Sequence, residues 1–435
     1  MLFIRKNMKK IALQNLGCSK NQIDGERILN LFRKAGYELT ENPIDADCIV
    51  VNTCAFIQEA QQEAIDTILE SAQFKQTGKC KKLVVSGCFS ERFRESAIKE
   101  IPEVDLWAGV NDWEQILKDD LQVSGISSFH RELSEPFATQ YLKIAEGCSH
   151  NCTFCIIPSI RGHFRSRSTE SILEEALWLY EKGTRELIIV AQDTSFYGRD
   201  SGSSLQKLLE LLLRKTQFNW IRMMYLHPKF VDDGLLTLVE KEQRICSYFD
   251  IPLQHISEPI LKSMNRTPLT SDIYKLIERI RTKVPDSTIR SSFILGFPGE
   301  TEKDFRALQK FIEFARFDKL GVFPYSPEDG TKAAEMSKRP RQSTAVKRCE
   351  ELMLQQREIS REVLEMKIGS RIEVIVEDVS EDPDFNFEAR SRGDAPEIDG
   401  KVMITNGSFT PGSFEEVLVT GTTDYDLYAE PLPQP

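Results

Sequence analysis

The sequence has no apolar run close to the roughly 18 residues that a membrane-spanning helix needs. Its first ten residues carry lysine and arginine, but Gln14, Asn15 and Lys20 interrupt the apolar h-region that a signal peptide places next. Met8 is a second candidate start besides Met1. We therefore expect a protein that works in the cytoplasm and does not bind a membrane.

The marks of a disordered chain are also missing, since hydrophobic residues make up 40% of the sequence and charged residues 28%. A length of 435 residues predicts about three domains. Ten cysteines in a chain without an export signal indicate metal or redox chemistry rather than disulfide bonds.

Three of these cysteines, Cys148, Cys152 and Cys155, stand within eight residues. Thiolates at such spacing suit an iron–sulfur cluster, which prefers soft sulfur ligands. A cube of four irons bound by three cysteines keeps one iron open, and an open metal position is where a substrate or cofactor binds. The competing interpretation is three unligated thiols in a loop.

Cys18, Cys54 and Cys88 are far apart in sequence but share a position in the predicted fold. Helical patterns at 25–35 and 56–72 alternate with strand-like apolar runs, which predicts a doubly wound parallel α/β sheet. The carboxyl ends of parallel strands lie along one edge, where such folds bind ligands, so we expect the three thiols to converge. The alternative is that three unrelated thiols happen to end strands. The cysteines follow, in order, the runs at 10–16, 48–52 and 82–86.

The remaining cysteines have no such placement. Cys48 and Cys80 fall at the start of their predicted strands, at the wrong edge for a ligand. Cys246 and Cys349 have no cysteine or histidine nearby in sequence. We interpret these four as small packing thiols.

A second series of βα units begins near residue 141 and predicts a partial (β/α)6 barrel rather than a closed eightfold barrel. The 148–155 loop follows its first strand, at the carboxyl face where barrel enzymes place their active sites. The strand-like runs are 140–145, 186–191, 221–226, 248–253, 289–295 and 320–325.

The C-terminal part has a different pattern. A charged connector and a helix occupy 332–367, with Pro340 breaking the pattern. Alternating runs separated by glycine and proline turns then predict a small antiparallel β-barrel. These runs are 371–376, 385–390, 401–405 and 416–420.

The order of these parts resembles the radical S-adenosylmethionine (SAM) methylthiotransferases, over essentially the whole chain. The sequences Leu-Gly-Cys-Ser-Lys-Asn at 16–21, Ala-Gln-Asp at 191–193 and Arg-Gly-Asp-Ala-Pro-Glu-Ile-Asp-Gly at 392–400 are similar to the RimO branch. The resemblance implies three domains. They are an N-terminal methylthiotransferase domain at 1–130, a radical SAM domain at 137–368 and an OB-like TRAM barrel at 369–435.

The RimO branch modifies an aspartate of small-subunit ribosomal protein 12, and the resemblance implies that activity here. Replacing an unactivated C–H bond by C–S–CH₃ involves no acidic proton and no leaving group, which favours radical chemistry. By resemblance, a [4Fe–4S] cluster on the 148–155 loop reduces SAM to a radical that abstracts hydrogen from the aspartate β-carbon. A second [4Fe–4S] cluster, on the three strand-end cysteines, presents the sulfur, and a second SAM supplies the methyl group.

A flavodoxin or ferredoxin is the expected reductant. The same resemblance leads us to expect that the two strand-end faces meet across a domain cleft. Beyond the cluster ligands we assign no catalytic residue.

Four residues are candidates for SAM binding. Phe154 lies between the last two cysteines of its loop and is expected to pack on the cluster or on adenine. Gln192 and Asp193 follow a predicted strand and are candidates for the amino, carboxylate or ribose groups of SAM. Gly296 permits close approach of a ligand. The alternative for each is an ordinary buried polar group or turn residue.

Two other functions fit the same motifs. A tRNA adenosine methylthiotransferase of the MiaB type has the same clusters and a nucleic-acid substrate. A non-catalytic iron–sulfur carrier needs only the cysteines, and it does not need six βα units around one cluster. Reductive cleavage of SAM distinguishes an enzyme from a carrier.

The charge of the C-terminal region distinguishes a protein substrate from tRNA. Residues 369–435 contain fifteen acidic residues against four basic ones, and this net of −11 equals that of the whole chain. An acidic barrel repels nucleic acid, whose binding depends on Lys and Arg, and attracts a basic protein. We expect no direct tRNA binding, and we expect Asp394, Glu397 and Asp399 at the contact with ribosomal protein 12. The alternative is that these acidic residues merely keep the domain soluble.

Overall fold

The computed structural model describes residues 9–110, 112, 130–134 and 138–432. The chain forms two compact units. The first consists of Met1–Ser134, Glu146–His150 and Cys155–Glu175, and the second of Glu135–Ala145, Asn151–Phe154 and Ala176–Pro435. Within the described ranges, no helix is long and apolar enough to span a membrane.

A five-stranded parallel sheet forms the centre of the first unit. Its strands are β1 (Lys10–Asn15), β2 (Glu38–Leu39), β3 (Cys48–Thr53), β4 (Lys82–Gly87) and β5 (Leu106–Trp107), in the order β2-β1-β3-β4-β5. Three helices follow β1, β3 and β4, namely α1 (Ser19–Lys34), α2 (Gln58–Thr77) and α3 (Cys88–Glu100). This arrangement confirms the doubly wound α/β fold.

Strand β3 is buried along its whole length because helices cover both faces of the sheet. Val50 belongs to the apolar cluster of one face with Ile28 and Phe32 of α1. Ile49 belongs to the cluster of the other face with Ile68 of α2. A parallel strand buried on both faces reads as a continuous apolar run, which made this strand visible in the sequence. The two-residue strands β2 and β5 were missed because two residues carry no periodicity.

Six parallel strands form the partial barrel of the second unit. One sheet has the order β10-β9-β6 and the other the order β11-β12-β13, where β6 is Thr139–Lys143, β9 is Glu186–Val190, β10 is Trp220–Met223, β11 is Tyr248–Asp250, β12 is Thr288–Leu295 and β13 is Lys319–Pro324. Backbone hydrogen bonds join the two sheets, from Cys246 N to Ile221 O at 2.9 Å and from Leu226 N to Asp250 O at 2.8 Å. The prediction of a partial (β/α)6 barrel is therefore confirmed.

Residues 145–365 also contain short strands and helices. The strands are β7 (Ala145–Glu146) and β8 (Arg165–Ser166). The helices are α4 (Ile157–Arg161), α5 (Thr169–Glu181), α6 (Leu205–Lys215), α7 (Asp233–Lys241), α8 (Glu258–Ser263), α9 (Thr270–Lys283), α10 (Glu302–Ala315) and α11 (Gln342–Glu365). Helix α10 begins with a capping box between Thr301 and Asp304 and buries Phe305, Leu308 and Ile312 at three- and four-residue steps.

A closed five-stranded barrel ends the described chain. Its strands are β14 (Arg371–Val379), β15 (Phe387–Ser391), β16 (Val402–Ile404), β17 (Phe414–Thr422) and β18 (Leu427–Pro431), in the order β14-β15-β16-β18-β17. The small-barrel prediction is confirmed, with two corrections. The strand β18 was missed because its five residues end in proline, and β16 pairs with β18 in parallel rather than antiparallel.

This barrel contacts the amino-terminal ends of the parallel strands in its own unit. Arg390 on β15 donates from Nη2 to Oε2 of Glu186, the first residue of β9, at 2.6 Å. Arg222 on β10 donates from Nε to the other oxygen of Glu186 at 2.8 Å. All three side chains are at most 2% exposed. Burial acts to raise the pKa of Glu186, but Arg390 and Arg222 lower that pKa to about 2.

The expectation that Asp394, Glu397 and Asp399 face a protein partner is wrong for the two aspartates. The carboxylate of Asp394 is buried 2.6 Å from the Lys319 ammonium. Asp399 accepts hydrogen bonds from the Tyr248 hydroxyl at 2.6 Å and from a backbone amide at 2.8 Å. These carboxylates attach the barrel to strands of its own unit, whereas Glu397 is exposed.

Candidate iron–sulfur and cofactor sites

Cys18, Cys54 and Cys88 each lie where a strand of the first sheet ends. Cys18 is the residue before helix α1, Cys54 follows β3, and Cys88 is the first residue of α3. Two of the thiols therefore stand at helix amino termini, where the backbone favours a thiolate.

Glycines bring the strand ends close together. Gly17 has a φ of +90°, and a Cβ added there would lie 2.7 Å from Cβ and 3.1 Å from Sγ of Cys54. Gly87 has a φ of +94°, and its added Cβ would lie 2.6 Å from the carbonyl oxygen of Thr53. The residue before Cys18 thus touches Cys54, and the residue before Cys88 touches the segment that leads to Cys54.

The charges around the three thiols also couple them. Burial among the surrounding atoms acts to raise the pKa of Cys18, although its side chain keeps access to solvent, but Lys20 and Arg161 lower that pKa overall. Burial raises the pKa of Cys54, and the nearby Cys18 raises it further. Burial raises the pKa of Cys88 to about 11 in spite of Arg161. Metal binding at this site must therefore release protons.

The chemistry of the donor set fits an iron–sulfur cluster, which prefers soft sulfur ligands. Three thiols stand at the strand ends, and the glycines before Cys18 and Cys88 let these chain segments approach one another.

The 148–155 loop follows β7 and precedes helix α4. Cys148 and Cys155 belong to the first unit, and Cys152 belongs to the second. All three are half-buried. Within the first unit, the amide of Cys148 donates to the Gly162 carbonyl at 3.0 Å, which fixes the start of the loop.

Residues 263–266 hold the central part of this loop in the second unit. The amide of Thr153 donates to the Met264 carbonyl at 3.0 Å, and its hydroxyl donates to the Ser263 carbonyl at 2.9 Å. The Arg266 guanidinium lies 3.8 Å from Sγ of Cys152. This contact gives the Cys152 sulfur a buried cationic neighbour.

Phe154 packs into an apolar cluster of the second unit. The cluster contains Met264, Phe297 and Tyr325, and Phe154 is partly buried against it. Phe154 therefore presents an apolar contact surface two residues after Cys152. The structure thus places the Phe154 side chain against an apolar cluster of the second unit.

Asp193 and Gly296 have local structural roles. Asp193 accepts hydrogen bonds from the Ser195 hydroxyl at 2.6 Å and the Phe196 amide at 3.1 Å, so it caps a 3₁₀ turn after β9. Gly296 has a φ of +77°, and an added Cβ would lie 2.4 Å from Cβ of Ala345 on α11. Its glycine identity is explained by helix packing. Gln192, half-buried, stands beside Asp193 at the carboxyl end of β9.

The four cysteines that we interpreted as packing thiols lie in or next to helices and strands. Cys48 opens β3, Cys80 precedes β4, and Cys349 lies within α11. Cys246 is fully buried next to β10. All four are buried.

Sequence reasoning missed two arginines beside the cysteines. Arg161 lies 3.5 Å from Sγ of Cys88, and Arg266 lies 3.8 Å from Sγ of Cys152. Neither belongs to a cysteine motif or a periodic pattern, so the sequence held no signal for a contact between distant segments. The one available hint was that Arg161 follows the cysteine loop closely.

Three family models match the chain in the order of its parts. Residues 10–109 match the uncharacterized protein family UPF0004, 142–312 the Radical SAM superfamily and 368–432 the TRAM domain. The ribosomal protein uS12 methylthiotransferase RimO of Geobacter sulfurreducens is 43% identical over 97% of this chain and 98% of its own length. The protein of the same name from Clostridioides difficile is 42% identical over 98% of this chain and 99% of its own.

A solved structure shares the fold. The radical S-adenosylmethionine methyltransferase TsrM from Kitasatospora setae, with cobalamin and a [4Fe–4S] cluster bound, has a TM-score of 0.54 and 12% sequence identity. The match covers 84% of this chain and 79% of that one. At this identity the likeness concerns the fold alone.

The order of the three matched domains is that of the radical SAM methylthiotransferases. The chain belongs to the RimO family, the ribosomal protein uS12 methylthiotransferases. SAM and two [4Fe–4S] clusters are the cofactors of this enzyme class.

Gly17→Ala is expected to lose the cluster of Cys18, Cys54 and Cys88, and with it about half of the iron, because each of two clusters contributes four irons. The new methyl group would stand at the sulfur of Cys54. The matched control is Gly36→Ala, since Gly36 has a similar φ of +86° but no atom within 4 Å of an added Cβ. Both variants carry a backbone cost of roughly 1–2 kcal/mol. Iron analysis and thermal melts of the two variants check this, and equal iron in both would contradict it.

Proposed function

We propose that this chain inserts sulfur and a methyl group at the β-carbon of an aspartate of ribosomal protein uS12, using two SAM molecules per turnover. The observation that carries the proposal is the grouping of Cys18, Cys54 and Cys88 at one sheet edge, separate in sequence from the 148–155 loop. An enzyme that only cleaves SAM needs one three-cysteine cluster. A second such site supports sulfur insertion.

The cysteines divide the chemistry between them. The three cysteines of the 148–155 loop would hold the cluster that binds SAM, and the three strand-end cysteines would hold the auxiliary cluster. When bound, these groups supply a radical able to break an unactivated C–H bond and the sulfur that replaces the hydrogen. The domains that carry them would be 1–130 and 137–368, with the barrel at 369–435.

The surroundings of the loop would position SAM. We assign the SAM pocket to the carboxyl ends of the barrel strands, with Phe154 as an apolar wall and Gln192, Asp193 and Gly296 along the edge. The capped turn of Asp193 and the packed turn of Gly296 keep this edge rigid, which favours an oriented cofactor. Arg266 would balance the charge of the Cys152 thiolate.

The exposed charge of the barrel favours a protein substrate over tRNA. Ribosomal proteins are generally basic, and a basic partner is attracted by an acidic surface that repels phosphates. Of the barrel's basic residues, Arg390 is buried against Glu186, which leaves little positive charge for a nucleic acid. The exposed acidic residues of the barrel are Glu373, Asp378, Glu381, Asp382, Asp384, Glu397 and Glu416.

The remaining partners follow from the reaction. Reductive cleavage of SAM consumes one electron, and a flavodoxin or ferredoxin is the proposed donor. The enzyme would act on ribosomal protein uS12 free or in the small subunit, and we propose the cytoplasm as its location.

The test offers both substrates to one enzyme. Reconstituted full-length protein, SAM and a reductant are incubated with purified uS12 and, in parallel, with unmodified tRNA, and both products are analysed by mass spectrometry. We expect a methylthio group on a uS12 aspartate and none on tRNA. Methylthio-adenosine together with unmodified uS12 would establish the tRNA enzyme instead. Absence of 5′-deoxyadenosine from all mixtures would establish a carrier.

A further inference from the structure

Arg161 is a buried side chain at the strand-end cysteines. It is the last residue of helix α4, and its side chain is 2% exposed. Its Nη1 donates to Asp24 at 2.8 Å and to Glu146 at 3.2 Å. Its Nη2 donates to the side-chain oxygen of Asn21 at 2.5 Å and lies 3.5 Å from Sγ of Cys88. One guanidinium thus joins two carboxylates, an amide and a thiol.

Asn21 extends this network to the other two cysteines. Its side-chain nitrogen donates to the Leu16 carbonyl at 2.9 Å and to the Thr53 carbonyl at 2.8 Å. Leu16 stands two residues before Cys18, and Thr53 immediately precedes Cys54. Asn21 and Arg161 therefore connect the three chain segments that carry Cys18, Cys54 and Cys88.

The carboxylates of Asp24 and Glu146 orient the guanidinium group of Arg161. Asp24 lies one helical turn after Asn21 on α1, so both side chains point to the same place. The fork of an arginine presents several N–H donors in one plane, which a lysine does not. Asp24 holds one nitrogen, and the other nitrogen is left facing Asn21 and Cys88.

The position of Arg161 matters for any cluster bound there. A cube with three thiolates is anionic, and reduction adds one more negative charge. Hydrogen bonds to the sulfurs and nearby positive charge stabilise the reduced state and raise the reduction potential. Burial strengthens this effect, because water screens the charge less.

We propose that Arg161 is a positioning residue of the auxiliary cluster, which orders the three cysteine segments through Asn21 and raises the reduction potential of the cluster through its contact with Cys88. The inference rests on the proposed function only in taking Cys18, Cys54 and Cys88 as cluster ligands. It concerns the cluster's environment and not the identity of the substrate.

The test uses the Cys152→Ala protein, in which the auxiliary cluster alone is retained. Arg161→Gln in that background is reconstituted and titrated with dithionite, and the cluster is followed by electron paramagnetic resonance. We expect the ratio of reduced to oxidised cluster at a fixed potential to fall at least tenfold, which is about 59 mV for one electron. Arg161→Lys should give a smaller shift, because the charge stays and the fork is lost. Arg33→Gln is the matched control, since Arg33 is 58% exposed and pairs with Glu132, and it should leave the potential unchanged.

A second variant keeps the test informative if Arg161→Gln unfolds. Removing Arg161 leaves Asp24 as a buried carboxylate, so Asp24→Asn with Arg161→Gln removes both charges. Loss of the cluster from this folded double variant supports the positioning role. Full iron with an unchanged potential in Arg161→Gln, or in the double variant where Arg161→Gln unfolds, overturns the inference. If the Cys152→Ala parent itself holds no iron, the proposed ligand set is wrong instead.

Discussion

Cys152→Ala is expected to lose about half of the iron and all cleavage of SAM. The reason is that the variant retains two of three thiolates in the loop, while the strand-end set keeps its own four-iron cluster. Iron analysis after anaerobic reconstitution and chromatography of 5′-deoxyadenosine measure the two effects.

Cys54→Ala is expected to lose the same amount of iron but to keep SAM cleavage. Its thiol belongs to the strand-end set, so sulfur insertion into uS12 should be abolished while substrate-free cleavage of SAM continues. This opposite behaviour of two variants with equal iron is what a two-cluster enzyme must show.

Cys246→Ala and Cys349→Ala are the matched controls, because both thiols are buried and neither belongs to one of the two cysteine triplets. Each should keep full iron and full activity. The assignment fails if Cys54→Ala retains all of its iron, or if Cys54→Ala and Cys152→Ala lose the same activities.

Glu186→Gln is expected to lower the free energy of unfolding by about 3–5 kcal/mol, the usual cost of removing one partner from a buried ion pair. The change removes the carboxylate that Arg222 and Arg390 share, and Arg390 then retains Glu377 at 2.6 Å. The side chains of Glu186, Arg222 and Arg390 are at most 2% exposed. Urea unfolding followed by circular dichroism measures the loss. Adding Arg390→Met to Glu186→Gln should recover part of the stability, because the two residues interact directly.

The pH dependence of unfolding provides an independent check. Glu186 has a pKa of about 2 in the folded protein and roughly 4.3 in an unfolded chain. Because the folded pKa is the lower one, its stabilising contribution is complete above the unfolded value and is lost as pH falls towards 2. The wild type should therefore lose stability more steeply than Glu186→Gln between about pH 5 and pH 2. Glu362→Gln, which breaks the exposed pair with Arg316, should follow the wild type. Parallel curves for Glu186→Gln and the wild type would contradict this role.

The sequence predicted those parts of the site that depend on local spacing or strand order. The 148–155 motif is contained in eight residues, and Cys18, Cys54 and Cys88 each follow an apolar run whose direction the α/β pattern determines. Contacts between segments distant in sequence were not predictable, because a single arginine such as Arg161 has no pattern.

Counting charges showed which region holds the excess acidic residues, but it did not show which of these residues form buried contacts within the protein. The net of −11 was correctly assigned to residues 369–435, yet Asp394 and Asp399 are used inside the second unit. Whether a carboxylate faces solvent depends on which cation the fold brings to it. The reason for a glycine at position 296 was also not predictable from the sequence. Only the position of Ala345 in the fold shows why a side chain is not tolerated there.

The Glu186–Arg390 contact sets a minimum reach for the substrate. Glu186 is the first residue of β9, and Gln192 stands just beyond its last. Five residues of extended strand measure about 17 Å. A substrate that touches the β-barrel and also reaches the carboxyl ends of the strands must bridge at least this thickness. A folded domain is wide enough to do so, whereas a peptide shorter than about five extended residues around the target aspartate would engage one end only.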